Sequence, residues 1–212
     1  MADNYLEKRL EAYKKQSGLQ KKRQQSTLSQ LLKKNRSYRA YDSSFVVRAD
    51  QLSRIIDVNT KIASARNQQV LRFRPVLADE AYKILQYIRL GSALPHIHLP
   101  EKGSEPNAFI VVCSTIPENR NVSIDLGISL QSMLLQAVEM GLNGICIGAF
   151  DKEAVKRELS LQLEPLMLLA IGKGSEHIEL TDIRFGDSQS YYRKEGVHYV
   201  PKIVLEDLII KK

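Results

Sequence analysis

Apolar residues recur along the chain with two different periods, which predict an alternation of helices and strands. Spacings of three and four positions are typical of helices that bury one face. Thr27 or Ser26 is a suitable N-cap for the first helix, and Asp50 and Asp151 are suitable N-caps for later ones. Gly141 is expected to end the longest helix. The helices predicted in this way span about 27–34, 51–62, 80–88, 123–140 and 152–159.

Short apolar segments between these helices predict the strands of a buried sheet. Ala108–Ser114 is rich in β-branched residues and predicts a fully buried strand, and Leu166–Gly172 predicts the last central one. Alternation over 72–77 and an extended segment over 144–150 predict two more. The chain has no internal repeat and no low-complexity linker, so we predict one α+β unit.

Composition supports a well-cored domain without a membrane span. The chain has 212 residues, of which 43% are hydrophobic and 26% are charged. Its longest apolar run, Leu166–Ile171, is far shorter than the roughly 18 residues that a transmembrane helix needs. The N-terminus has no apolar segment of the signal-peptide kind, so we expect a cytoplasmic protein with no membrane partner. Cys113 and Cys146 are then expected to be reduced, buried thiols.

The net charge of +7 is concentrated at one end of the chain. Residues 1–40 carry 11 Lys and Arg against 3 Asp and Glu, and the rest carries 20 against 21. Residues 1–26 are therefore predicted to form a basic N-terminal helical extension, with Leu6, Leu10 and Tyr13 at helical spacing. Because this stretch lacks interleaved aromatic residues, we expect no nucleic-acid partner. The apolar C-terminal segment Leu205–Ile210 is expected to pack on another subunit.

Several common site chemistries lack their motifs in this sequence. Of the four histidines, His96 and His98 lie close together in a predicted loop over 91–107, but no cysteine or carboxylate nearby completes a zinc site, so no metal is expected. The glycine-rich phosphate loops and the nucleophile elbow of hydrolases are also missing.

One segment has the chemistry of an anion site. Arg36, Ser37 and Arg39 place two guanidinium groups and a hydroxyl within four residues, which suits a phosphate monoester. The alternative is a solvated loop.

Two further segments suit a flat heteroaromatic ring. Asn67 and Gln69 offer amide donors and acceptors to a ring edge. In Ile147, Gly148 and Ala149, the glycine lets the backbone approach a ring closely. The alternative for both segments is ordinary turn chemistry.

The order and spacing of these segments resemble the FMN-dependent nitroreductase family over about residues 27–212. The segment 35–42 is similar to that family's R-R-S-x-R-x-F/Y-D, and 64–69 is similar to the start of its S-x-x-N-x-Q-P-W. The segment 144–151 ends in a sequence similar to I-G-G-F-D, and Asp125–Leu142 resembles the family's central helix. Lys202 stands near the C-terminus, where the family has a basic residue.

The chain departs from the family pattern at three places. Asn35 replaces the first arginine, so a phosphate contact is missing unless Lys34 or the tail replaces it. Val70 and the residue after it replace Pro-Trp. The C-terminal arginine position holds Lys202, although Arg193 is a second candidate.

The resemblance implies a role for each candidate residue. Arg36 and Ser37 would hold the FMN phosphate, with help from Lys202, and Arg39 would lie near the pyrimidine edge of the flavin. Asn67 and Gln69 would bond the ring or the ribityl chain. The segment 147–149 would line one face of the ring.

The resemblance also implies a fold, an assembly and an activity. The fold would have a central, mainly antiparallel sheet flanked by helices, within an intertwined homodimer whose C-terminal tails wrap the partner subunit. FMN would accept hydride from NAD(P)H and reduce a nitroaromatic, a quinone or a similar electron-poor small molecule by a ping-pong mechanism, with no catalytic side chain required. Two alternatives stay open: a flavin-binding protein of the same fold without efficient turnover, and a nucleic-acid adaptor.

Overall fold

The computed structural model describes residues 8–9, 26–91 and 99–210. Between residues 26 and 210 the helices are α1 (Leu28–Lys34), α2 (Ala49–Asp57), α3 (Ala78–Leu85), α4 (Arg120–Glu139), α5 (Lys152–Glu158) and α6 (Leu205–Leu208). The strands are β1 (Leu71–Val76), β2 (Ala108–Ser114), β3 (Asn143–Ile147), β4 (Glu164–Gly172), β5 (His177–Ile183), β6 (Tyr192–Lys194) and β7 (Val197–Ile203).

The centre of the fold is an antiparallel sheet with the strand order β1-β2-β4-β3. All seven residues of β2 are buried, as expected of an apolar strand with neighbours on both sides. The prediction of an α+β fold with a central antiparallel sheet is therefore confirmed.

Helices cover both faces of this sheet, which makes three layers. On one face, Leu52 of α2 and Met133 of α4 pack against Ile110 and Leu169. On the other, Ile84 of α3 and Val155 of α5 pack among the residues that point the opposite way from the same strands. Because side chains alternate across a strand, neighbouring residues of β2 and β4 enter different cores.

A second sheet, with the order β5-β7-β6, follows the central one and was not predicted from the sequence. β5 pairs with β7 in parallel, and β6 pairs with β7 in an antiparallel hairpin. The burial of β5 alternates between exposed and half-buried residues, so it lacks the apolar core pattern of β2. This sheet carries one wall of the site described below.

Most local signals act where they were predicted. Thr27 caps α1, Asp151 caps α5, and Gly141 takes a positive φ just after α4. The expectation for Asp50 is wrong, because α2 already begins at Ala49 and Asp50 lies in its first turn.

Two predicted regions fall largely outside the described residues, namely most of the extension 1–26 and residues 92–98 of the loop 91–107. Cys113 is buried, and Cys146 is half-buried in β3. Among the described helices, none has both the length and the apolar character needed to cross a membrane.

Candidate functional site

The segment with the two candidate arginines runs from the end of α1 along the edge of β3. Ser37 forms a bridge with Gly144, and the amide of Tyr38 donates to the Gly144 carbonyl at 3.2 Å. A Cβ on Gly144 would lie 2.5 Å from the carbonyl oxygen of Ala170 on the neighbouring strand, so the glycine permits this close packing.

Two tyrosines of the same segment are seated on glycines after β3 and β4. A Cβ on Gly174 would lie 2.2 Å from the ring of Tyr38, and one on Gly172 would lie 2.6 Å from the ring of Tyr41. The Tyr41 hydroxyl donates to the Tyr38 carbonyl at 2.9 Å. These contacts fix the backbone that presents the arginines.

A cavity of about 390 Å³ opens between this segment, α4 and the second sheet. It brings together four of the predicted site residues, Arg36, Ser37, Arg39 and Lys202, although Lys202 is far from the others in the chain. Its volume lies within the range of small-molecule sites. The remaining lining residues are Asn35, Gln131, Leu134, Cys146, Ile178, Tyr191, His198 and Val200.

Arg36 is half-buried at the α1 side of this cavity. Its Nη2 donates to the Leu32 carbonyl at 2.6 Å, while its buried Nε has no hydrogen-bond partner. Burial lowers the pKa of Arg36, but a guanidinium stays protonated in proteins. Arg36 therefore offers a fixed positive charge and a free N–H.

Arg39 is only 9% exposed, so the alternative of a solvated loop residue is wrong for this side chain. Its guanidinium carbon lies 4.8 Å from the centre of the Tyr191 ring, a cation–π distance, and its Nη1 donates to the Ser37 carbonyl at 3.1 Å. The Arg39 Nε is buried without a partner.

The buried carboxylate of Glu176 holds the backbone of this segment. The amides of Arg39 and Ala40 donate to its Oε2, and the Arg193 guanidinium donates to its Oε1. The Glu176 side chain is 7% exposed. This carboxylate ties the arginine segment to β6 of the second sheet.

Unpartnered polar atoms indicate what the cavity can bind. In the described part of the chain, five buried side-chain nitrogen or oxygen atoms have no hydrogen-bond partner, and Arg36 Nε, Arg39 Nε and His198 Nδ1 are three of them. All three residues line this cavity. Buried polar groups are nearly always hydrogen-bonded, so a polar ligand with anionic character fits here. FMN meets that requirement with its phosphate and its heteroaromatic ring.

Asn67 and Gln69 lie elsewhere, on an exposed 3-10 turn before β1. Gln69 lines a separate cavity of about 540 Å³, next to Asp125 on another face of α4. Arg66, Asn67 and Gln69 all have φ near +50°, a conformation that costs free energy and concentrates at functional sites. The Asp125 carboxylate accepts the Ala65 amide at 2.8 Å and so supports this turn.

The predicted ring-facing segment at the end of β3 does not line the cavity of Arg36. Ile147 is 2% exposed in the core, whereas Gly148 and Ala149 are exposed. Within the described residues, Cys146 is the part of this strand that lines the cavity. Burial raises the pKa of Cys146 to about 11, so it is a neutral thiol at physiological pH.

The structure distinguishes the candidates for the missing family arginine. Asn35 is buried, and its amide donates to Gln131 at 3.4 Å. Lys202 lines the cavity, whereas Arg193 is paired with Glu176 and lines a neighbouring cavity, and Lys34 lines neither. The tail therefore supplies the additional cation through Lys202.

Sequence reasoning missed Glu176, Tyr191 and the position of His198. The alternating sequence V-H-Y-V-P-K-I was the available signal, because it predicts a strand with His198 and Lys202 on one face. Among the described residues, no group of three or more His, Cys, Asp or Glu side chains is arranged to hold a metal. His96 and His98 lie outside those residues.

A comparison with protein families matches residues 107–173 to the model of the Nitroreductase family. This segment includes β2, the central helix α4, β3 and β4. No curated protein matches the chain.

Solved structures share the fold at low sequence identity. A nitroreductase family protein from Streptococcus pneumoniae TIGR4 is 17% identical with a TM-score of 0.62, over 88% of this chain and 100% of its own. The FMN and NADPH-dependent nitroreductase NfnB from Sphigopyxis sp. strain HMH is 18% identical with a TM-score of 0.59, over 71% and 89%. A nitroreductase family protein from Clostridium difficile 630 is 22% identical with a TM-score of 0.54, over 71% and 86%.

Proposed function

From the nitroreductase fold of this chain and the confirmed resemblance to that family, we propose that it binds FMN and uses NAD(P)H to reduce electron-poor small molecules. Nitroaromatic compounds and quinones are the substrate classes that we propose. The observation that supports this most directly is the set of three buried, unpartnered nitrogen atoms around one cavity, on Arg36, Arg39 and His198.

Within this proposal, the cationic residues divide between two ends of the cofactor. Arg36, Ser37 and Lys202 bind the phosphate, because they combine two positive charges with a hydroxyl. Arg39 lies at the pyrimidine edge of the ring, where its packing on Tyr191 keeps it in place. Leu134 and Val200 exclude water from the cavity between these ends.

Bound FMN supplies the hydride chemistry, and the protein supplies binding, orientation and electrostatics. Arg39 favours negative charge that develops on the nearby ring edge, because it is a fixed cation in a buried place. The two substrates use the same open face in turn, so plots of reciprocal rate against reciprocal concentration should be parallel. Intersecting lines would contradict this ordering.

We further propose a homodimer, in which a second copy of the 67–69 turn and of the 147–149 segment completes each site. Asn67, Gln69, Gly148 and Ala149 are exposed, although the resemblance gives them cofactor contacts. The tail also exposes apolar side chains that a partner would cover, with Leu205 65%, Leu208 63% and Ile210 96% exposed. Light scattering at micromolar concentration with FMN bound should give twice the chain mass, and a monomer would contradict the assembly.

Titration of flavin fluorescence tests cofactor binding. Arg36→Ala should weaken FMN binding by about 1.5–3 kcal/mol, the range for a hydrogen bond to a charged group. That corresponds to about 10- to 150-fold. Arg54→Ala, at an exposed position of α2, is the matched control and should change nothing. A wild-type protein that stays colourless with excess FMN and shows no thermal shift would refute the proposal.

A second candidate is a flavin-binding protein without efficient turnover. Asn35 favours it, since the family's first arginine is replaced by a residue that bonds Gln131 instead. Anaerobic mixing of the FMN-loaded protein with NADH or NADPH separates the two functions. Rapid bleaching of the flavin absorbance supports the reductase, and negligible bleaching with both donors supports the second candidate.

A further inference from the structure

The cavity runs along β7, which presents every second residue to it. His198, Val200 and Lys202 all line the cavity, as expected for positions i, i+2 and i+4 of a strand. Four residues of strand span about 13 Å, so His198 and Lys202 mark two separate ends. Lys202 and Arg36 also line the adjoining groove beside α1, which places them at the same end.

His198 lies at the other end, beside Arg39 and Tyr191. Its ring centre is 5.2 Å from that of Tyr191, which also lies under the Arg39 guanidinium. His198 is 3% exposed, and its Nδ1 has no hydrogen-bond partner. A buried nitrogen of this kind is costly unless a ligand satisfies it.

The charges around His198 come from three parts of the fold. Arg39 faces it from the segment after α1, Arg193 from its partner position on β6, and Glu176 from the connection between β4 and β5. Burial lowers the pKa of His198 most, the two arginines lower it further, and Glu176 opposes them. A neutral imidazole has one donor and one acceptor nitrogen, which suits a ring edge with alternating N–H and C=O groups.

We propose that His198 is a further cofactor-binding residue, which contacts the ring end of the bound flavin through Nδ1. Lys202 contacts the phosphate end of the same molecule. This inference rests on the proposed function and adds a residue to its site. It also explains why a polar side chain is kept buried at this position of β7.

Three probes separate the two ends of the cavity, namely FMN, riboflavin and inorganic phosphate. Affinities for the flavins come from fluorescence titration, and the affinity for phosphate comes from its competition with FMN. His198→Leu should weaken FMN and riboflavin by the same factor, about tenfold, and leave phosphate unchanged. Lys202→Ala should weaken FMN and phosphate and leave riboflavin unchanged.

Two more variants control for folding and for the histidine itself. His198→Gln keeps a hydrogen-bonding group and should lose less flavin affinity than His198→Leu. His177→Gln, on the exposed side of β5, should match the wild type with all three probes, since the His177 side chain is 65% exposed. Thermal unfolding of each variant shows that it is folded before titration.

The outcomes are distinct. A loss shared by the two flavins and spared for phosphate supports the assignment of His198. An equal loss for all three probes indicates a collapsed cavity, a loss confined to FMN and phosphate places His198 at the phosphate, and no loss removes it from the site; each of these overturns the inference. If the wild type binds neither flavin, the proposed function fails, and this inference fails with it.

Discussion

Replacement of Glu176 by glutamine tests whether one buried carboxylate holds the site together. The two Glu176 oxygens accept three N–H donors, from the amides of Arg39 and Ala40 and from the Arg193 guanidinium. Glutamine has nearly the same shape but carries no charge, and only one of its two terminal atoms accepts a hydrogen bond. One side of this arrangement must therefore face an N–H group.

The size of the effect follows from the burial of these groups. Hydrogen bonds to charged groups contribute about 1.5–3 kcal/mol each, and removing one partner of a buried ion pair costs about 3–5 kcal/mol. The Glu176 side chain is 7% exposed, but that of Arg193 is 24% exposed and keeps some contact with water. We therefore expect Glu176→Gln to lower the free energy of unfolding by about 2–4 kcal/mol.

Urea unfolding of the cofactor-free protein measures this change directly. Glu195→Gln is the matched control, because the Glu195 side chain is 84% exposed and its ion pair with Lys194 is long, at 3.9 Å. That control should change the free energy of unfolding by less than about 0.5 kcal/mol, as is usual for surface positions. A Glu176→Gln effect no larger than the control would refute the argument that Glu176 anchors the arginine segment.

Three further predictions concern packing, a thiol and pH. Gly174→Ala should destabilise the protein by about 1–3 kcal/mol, because its Cβ would lie 2.2 Å from the Tyr38 ring, whereas Gly127→Ala meets no atom within 4 Å and should stabilise α4 by about 0.5–1 kcal/mol. Equal effects in urea unfolding would contradict the packing at Gly174. Cys146, whose pKa burial raises to about 11, should react with iodoacetamide at pH 8 far more slowly in the folded than in the unfolded protein. Because burial lowers the pKa of His198, the unfolded state binds its proton more readily, and stability should fall as the pH drops below about 6.5; His198→Gln should show a smaller fall between pH 7.5 and 5.5.

The sequence alone determined the elements whose signals are local. The buried strand Ala108–Ser114 matches its predicted bounds, because a short apolar run with a partner on each side has no other stable place. Thr27, Asp151 and Gly141 mark helix ends through their own side-chain or backbone chemistry, which acts within a few residues. The candidate anion site over Arg36–Arg39 is local in the same sense, because its two guanidinium groups and one hydroxyl lie within four consecutive residues.

Only the tertiary structure decided which of these residues meet. Lys202 shares a cavity with Arg36 because β5 and β7 form a sheet beside the arginine segment, and the mostly exposed β5 gives little apolar signal for that sheet. Arg39 has the composition of a solvated loop residue, but Glu176 and Tyr191, more than a hundred positions away, bury it. Asn67 and Gln69 are separated from this cavity by the faces of α4. Such contacts depend on how distant segments pack, so a local pattern of residues does not specify them.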